Sequence, residues 1–198
     1  MFEECINVYD FDGTIYDGDS TFDFYKYCLI KNPKLILFLP RQLKAALQYK
    51  LGKITKTQFK EIFYSFLRRI DNIDSAVAAF WDVHEKRIQE WYKSVSKESD
   101  LIISASPDFL LSYICNKLNV QLICSVVDKH TGIYSGENCS GEEKVRRFYE
   151  RYGKSISINN FYSDSQSDLP LARLAKNSFL IKNKRAVPWS EVKNEIQS

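Results

Sequence analysis

The chain is poor in the residues that build soft metal sites and disulfide frameworks. Its five cysteines (Cys5, Cys28, Cys115, Cys124, Cys139) are odd in number and form no CxxC pair, and only His84 and His130 could join them. Thiols buried as small hydrophobes are therefore expected. Long apolar runs are missing as well. Nothing approaches the roughly 18 residues of a bilayer-crossing helix, and the most apolar stretch, Leu35 to Leu39, stops at Pro40 and Arg41. No transmembrane segment is expected. The Met1-Phe2-Glu3-Glu4 opening has neither the basic start nor the apolar stretch of a secretory signal, which predicts a cytoplasmic protein. Compact runs of Lys and Arg are lacking too, and a formal charge of +3 is too mild to imply nucleic acid. No internal repeat or low-complexity segment is visible.

What is present is enough to build a core. With 198 residues, 44% of them hydrophobic, the chain fits one large domain or a core with a small insert. Cys5-Ile6-Asn7-Val8-Tyr9 is a short β-prone run that empties into two aspartates and a glycine, as a buried strand does where it meets a functional loop. Four more β-prone runs follow much later: Leu101-Ile103, Gln121-Val127, Ile156-Tyr162 and Ser178-Ile181. Helical patterns at 108–118, 141–152 and 168–176 alternate with them. This alternation predicts an α/β fold with a parallel, Rossmann-like sheet sandwiched by helices.

Residues 17–93 break the alternation. They hold no convincing strand but several helix-period patterns, among them Phe59, Ile62, Phe63, Phe66, Leu67 and Ile70, starting near Thr55 or Thr57. A second pattern runs through Ile73, Val77, Phe80, Trp81, His84, Ile88 and Trp91. A helical domain over 17–93, inserted into a core of 1–16 and 94–198, is the expected organisation. From Phe24 through Lys60 the insert carries nine basic residues and no acidic one. On a helix, Lys34, Arg41, Lys44 and Gln48 share one face and Ile36, Leu39, Leu43 and Leu47 another, with Pro40 expected to kink or split it. This is either a solvated basic face or a surface for anionic lipid or a phosphorylated substrate.

Asp10-Phe11-Asp12-Gly13-Thr14 carries the strongest chemical signal. Side chains two apart on a strand point the same way, so Asp10 and Asp12 are expected on one face, where two like charges raise a pKa or recruit a cation. Asp164 and Asp168, in Tyr162-Ser163-Asp164-Ser165-Gln166-Ser167-Asp168, supply further hard oxygens at the end of another predicted strand. Such a donor set suits Mg2+.

In this order the motifs resemble those of the haloacid dehalogenase superfamily, in particular its phosphoserine-phosphatase-like branch. The first motif looks like Asp10 to Thr14. The second, a Ser or Thr after a hydrophobic strand, looks like Ser104 in Leu101-Ile102-Ile103-Ser104-Ala105-Ser106-Pro107. The third, a lysine opening a helix, looks like Lys144 in Cys139-Ser140-Gly141-Glu142-Glu143-Lys144-Val145, and the fourth is the Ser163–Asp168 segment. The resemblance implies a Mg2+-dependent phosphatase in which Asp10 attacks phosphorus and Asp12 serves as general acid and then base. Dehalogenating relatives lack that second aspartate and phosphatases keep it. Ser104 would then hold a phosphoryl oxygen and Lys144 compensate charge. The metal would be bound by Asp10, Asp12 through its carbonyl, and Asp164, with Asp168 in or behind the metal shell. Three positions depart from the common pattern: Ala105, whose amide would face the phosphate, Ser163 and Ser167.

In this branch the insert is a cap, so substrate choice is expected to belong to it. Asp19 falls where phosphoserine phosphatases carry an acidic residue for the substrate amine, and Arg41 is the candidate partner for a second anionic group. Core stretches also resemble bacterial phosphatidylglycerophosphatases of the same branch. A small phosphorylated metabolite is the expected substrate, with a lipid phosphate as the alternative and peripheral contact of the basic cap with anionic lipid as a corollary. From another class, a non-enzymatic phospho-acceptor or regulatory module would use similar residues, but an acceptor domain needs neither the Asp12 proton shuttle nor a long insert after the first strand.

Overall fold

The computed structural model describes residues 5–190; the Met1–Glu4 opening and residues 191–198, assigned above to the core, lie outside the described residues. β1 (Cys5–Tyr9) forms the centre of a six-stranded sheet with β2 (Leu101–Pro107), β3 (Gln121–Ser125), β4 (Ser157–Ser163), β5 (Ala175–Lys182) and β6 (Arg185–Pro188). The order is β3-β2-β1-β4-β5-β6. All pairs are parallel except β5 with β6.

Alternation along the strands divides two apolar layers. Val8, Leu101 and Ile103 face one cluster with Phe148 of α7 (Glu142–Tyr152) and Leu171 of α8 (Leu169–Ala172), whereas Tyr9 and Ile102 face another with Leu110, Leu111 and Ile114 of α6 (Asp108–Lys117). A sheet buried on both faces explains why its strands read as continuous apolar runs. Four of the five cysteines are buried: Cys28, Cys115 and Cys124 in the second cluster and Cys139 in the first, while Cys5 is exposed.

Two expectations at the C-terminal end are corrected. The helix read over 168–176 ends at Ala172, and residues from Ala175 onward form β5. Leu171 and Leu174 have helical spacing, but Leu174 only closes the last turn, donating its amide to the Leu171 carbonyl. The sequence reading also missed β6, because its hairpin turns through Asn183 and Lys184 at φ of 50° and 64°, with no glycine to mark it.

The insert begins at α1 (Ser20–Lys31), capped by Asp19, whose side chain accepts from the Phe22 amide. A 3-10 helix over Pro33–Phe38 leads into α2 (Leu39–Lys50). Pro40 thus splits the long helix by sitting in the first turn of α2, where its missing N–H costs nothing. α3 (Lys56–Tyr64) starts at a capping box of Thr55 and Gln58, and α4 (Ile73–His84) and α5 (Glu90–Val95) follow. Entry and exit run antiparallel at one seam: the Asp17 amide donates to the Arg87 carbonyl at 2.9 Å and the Gln89 amide to that of Ile15 at 2.8 Å.

The two parts of the insert meet through the Phe24–Phe80 and Tyr27–Phe80 ring contacts but face different neighbours. Residues 73–95 pack onto the sheet layer. Trp81, fully buried, donates its indole N–H to the Leu110 carbonyl at 2.8 Å and meets Phe11 edge-on, with ring centroids 5.9 Å apart. Tyr92 meets the Tyr9 ring at 4.9 Å. Residues 20–69 instead form a lid, steadied from the core side by the loop after β3. Gly132 of that loop lies so close that a Cβ would come within 2.6 Å of the Tyr64 Cβ.

Candidate active site

β1 delivers Asp10 to the C-terminal edge of the sheet between β2 and β4, where the strand order departs in opposite directions and parallel sheets open a crevice. The Asp10 amide donates to the Tyr162 carbonyl at 2.8 Å. The strand stops at Tyr9, so strand alternation is not what aligns Asp10 with Asp12. A turn does it: the amides of Thr14, Ile15 and Tyr16 all point back to the Phe11 carbonyl. Both carboxylates thereby line one cavity of about 640 Å³, together with Ser104, Lys144, Asp164 and Asp168 from the core. Gly13 is required in this turn. Its φ is +71°, and a Cβ would lie 2.0 Å from Asp164 Oδ2, so only glycine lets that carboxylate rest against the loop.

Lys144, 2% exposed, donates to Asp10 Oδ1 and Asp168 Oδ2, both at 2.7 Å. Burial opposes its charge, but the two carboxylates outweigh it and hold the ammonium above its ordinary range. Burial likewise pushes Asp10 up to about 7, with Lys144 pulling the other way. Asp168 Oδ2 also accepts from Ser163 Oγ at 2.8 Å, and its side chain makes no capping bond to α8. The serine that departs from the family pattern at 163 therefore fixes the carboxylate that orients Lys144.

Asp12 is held differently. Its Oδ1 accepts from the Ser20 amide at 2.6 Å and its Oδ2 from Ser106 Oγ at 2.5 Å. Burial, then the nearby Asp19 charge, drive it up to about 6 against those two bonds. Side by side stand two carboxyls that burial raises, one paired with an ammonium and the other held by a backbone amide and a hydroxyl. Ser104, buried, accepts from the Ser106 amide at 3.1 Å.

The lid closes the cavity with Thr21, Phe22, Lys56, Phe59, Lys60, Phe63 and Tyr64, and Asp19 stands at the same wall. Arg41 is not there: it is exposed on α2 and does not line the cavity. Lys60 is the cation the lid brings in, and the sequence reading missed it. Its Nζ donates to the Ala105 carbonyl and to Asn138 Oδ1, each at 2.8 Å. Burial, helped by Lys56, lowers it to about 8. Thr21, Tyr64 and Ser106 were missed as well. Thr21 Oγ1 lies 3.1 Å from Ser106 Oγ and 3.2 Å from the Tyr64 hydroxyl, so a chain of hydroxyls links the lid to Asp12. Ser106 was legible, being two residues beyond Ser104 on one strand.

The oxygen donors suit a hard divalent cation. Among the described residues no three His, Cys, Asp or Glu side chains form a cage by themselves. Mg2+ is commonly held by one or two carboxylates with waters and substrate phosphate oxygens completing its shell. Asp10, Asp164 and the Asp12 carbonyl fit that pattern, and the glycine cradle at position 13 admits Asp164 to it.

A family model described as haloacid dehalogenase-like hydrolase matches residues 8–173. Protein CicA from Caulobacter vibrioides is 27% identical over 200 aligned positions, covering 87% of this chain and 84% of its own length. Among solved structures, a Bordetella pertussis Tohama I protein of unknown function superposes with a TM-score of 0.77 at 18% identity, covering 99% of this chain and 96% of its own. A phosphoserine phosphatase held as an analogue of its phospho-aspartyl intermediate gives a TM-score of 0.54 at 16% identity, covering 90% of this chain and 87% of its own. These two structures share the fold.

Proposed function

The chain belongs to the haloacid dehalogenase-like hydrolases, and on that premise we propose that it is a phosphatase that hydrolyses a small anionic phosphate monoester in two displacements through Asp10, with Mg2+ as its cation. The observation that carries this reading is one cavity in which Asp10 is ion-paired to Lys144 while Asp12 is held apart from that cation by the Ser20 amide and the Ser106 hydroxyl.

An Asp10 carboxylate oxygen attacks phosphorus in line, forming an acyl phosphate as the bond to the leaving oxygen breaks. Asp12 gives its proton to that departing alkoxide. Water then attacks the aspartyl phosphate, Asp12 takes a proton from it, and inorganic phosphate leaves with Asp10 restored. Ser104 donates to a phosphoryl oxygen and Lys144 balances the charge that phosphate and Asp10 share. Mg2+, bound by Asp10, Asp164 and the Asp12 carbonyl, would neutralise phosphoryl charge. Asp168 and Ser163 keep Lys144 in place.

Lys60 and Lys56 on the lid wall favour a leaving group with its own anionic charge, and Phe22, Phe59 and Phe63 limit its size and polarity. Asp19 would meet an amine on the same group. A lipid phosphate is the second reading, favoured by the exposed leucines of α2.

The test is phosphate release from a panel of monoesters, including phosphoserine and a water-soluble phosphatidylglycerophosphate, with Mg2+ and with Asp10→Asn. Release that needs the metal and is lost in the variant is expected. A stable phosphoprotein on incubation with acetyl phosphate, without release, would turn the assignment toward a phospho-acceptor.

A further inference from the structure

The outer face of the lid carries a surface the chemistry does not use. On α2, Leu39, Leu43 and Leu47 are 37%, 61% and 58% exposed, and Ile36 and Leu51 at its ends are 54% and 59% exposed. At roughly 100° per residue the three α2 leucines fall within about 80° of one another. The helix cannot roll to bury them. Its inward residues are Gln42 and Ala45, and Gln42 is fixed by two bonds: its amide donates to the Phe63 carbonyl at 2.9 Å, and its Oε1 accepts from the Tyr25 hydroxyl at 2.9 Å. The sector beside the leucines holds Arg41 and Lys44, both exposed.

We propose that this face docks the protein onto a bilayer bearing anionic lipids. An apolar row beside a basic row, on a segment with no acidic residue from Phe24 through Lys60, is the pattern of a helix lying in a membrane interface. Leucines enter the acyl boundary while Arg41 and Lys44 meet anionic headgroups, attracted by the surface potential. A second copy of this chain is a poorer occupant: a twofold contact through this face sets the same patch against itself, bringing Arg41 and Lys44 of both copies together. Nucleic acid would use the cations but leave the leucines in water. Docking leaves the catalytic groups unoccupied, since α2 lines none of the cavity, although its partner α3 does.

The experiment is co-flotation of the full chain with vesicles of phosphatidylcholine alone and of phosphatidylcholine with phosphatidylglycerol at equal parts. Neither lipid is a phosphate monoester, so the result is independent of turnover. Binding to the anionic vesicles and little to the neutral ones is expected. Leu43→Asp/Leu47→Asp should lower the partition coefficient at least about tenfold while keeping the thermal midpoint of the parent. Arg41→Glu/Lys44→Glu should lower it on anionic vesicles only. No binding at low salt, or binding unchanged in the leucine variant, overturns the proposal. So does a dimer in light scattering that the leucine variant dissociates, which would give the face to a second copy.

Discussion

The two halves of the insert are contiguous in sequence and opposite in character. Residues 73–95 bury Trp81 and Tyr92 against the sheet layer, meet α1 through Phe80 and contribute nothing to the cavity wall, whereas residues 20–69 line the cavity from above and leave apolar side chains in solvent. The packed half reaches the Asp10–Asp12 turn from beneath, through the Trp81–Phe11 contact. The lid half lines the cavity. On the proposed function, the first would support turnover and the second would choose substrate.

That division can be broken experimentally. The largest effect is expected for Trp81→Ala, which should cost about 3–5 kcal/mol of stability, seen as a lower thermal midpoint. At temperatures where the variant stays folded, kcat should fall with KM nearly unchanged. A KM effect alone would refute the assignment of this half to support. Next, Lys60→Met should raise KM about tenfold for substrates with a second anionic group, consistent with loss of a hydrogen-bonded charge of about 1.5–3 kcal/mol. Its kcat should change little, and Lys60→Arg should recover most of the loss.

A third effect is on pH. Because burial lowers Lys60 from 10.5 to about 8, the unfolded chain binds more protons than the folded one between those values. Folding stability contributed by this group is therefore least below about 8 and rises as pH climbs toward 10.5. Affinity moves the other way, since the neutral amine forming above about 8 no longer attracts an anion. Lys60→Met should flatten both trends in denaturation and KM profiles. The smallest effect is expected at Val83, half exposed on α4 two residues from Trp81. Val83→Ala should stay within about 0.5 kcal/mol, showing that the packed half matters through its buried face.

Much of the fold was legible because its signals are local. β1 ends where the aspartates begin, Thr55 caps α3, Pro40 starts α2, and Gly141 precedes the helix that carries Lys144. What failed was non-local. The sequence puts the α2 leucines on one face but does not say which way that face points. Only the bonds from Tyr25 and to Phe63, 17 and 21 residues away, turn the polar side in. Lys60 escaped notice for the same reason: nothing near it in sequence announces Ala105 or Asn138 as partners. Arg41 lies exposed on α2, outside the cavity lining. The division of the insert was hidden because both halves have helical periodicity, which reports that a face is buried and not against what.

The buried cysteines give each part of the molecule its own clock. Cys28 sits in the lid half on α1, Cys115, Cys124 and Cys139 sit in the α/β core, and Cys5 alone among them is exposed. A thiol reagent should mark Cys5 at once and every other position only as its surroundings open. If the lid loosens independently, Cys28 reacts ahead of the core three. If lid and sheet come apart together, the four are modified at a common rate. Residues with no part in catalysis thus report, site by site, how tightly substrate selection is coupled mechanically to the scaffold that performs the reaction.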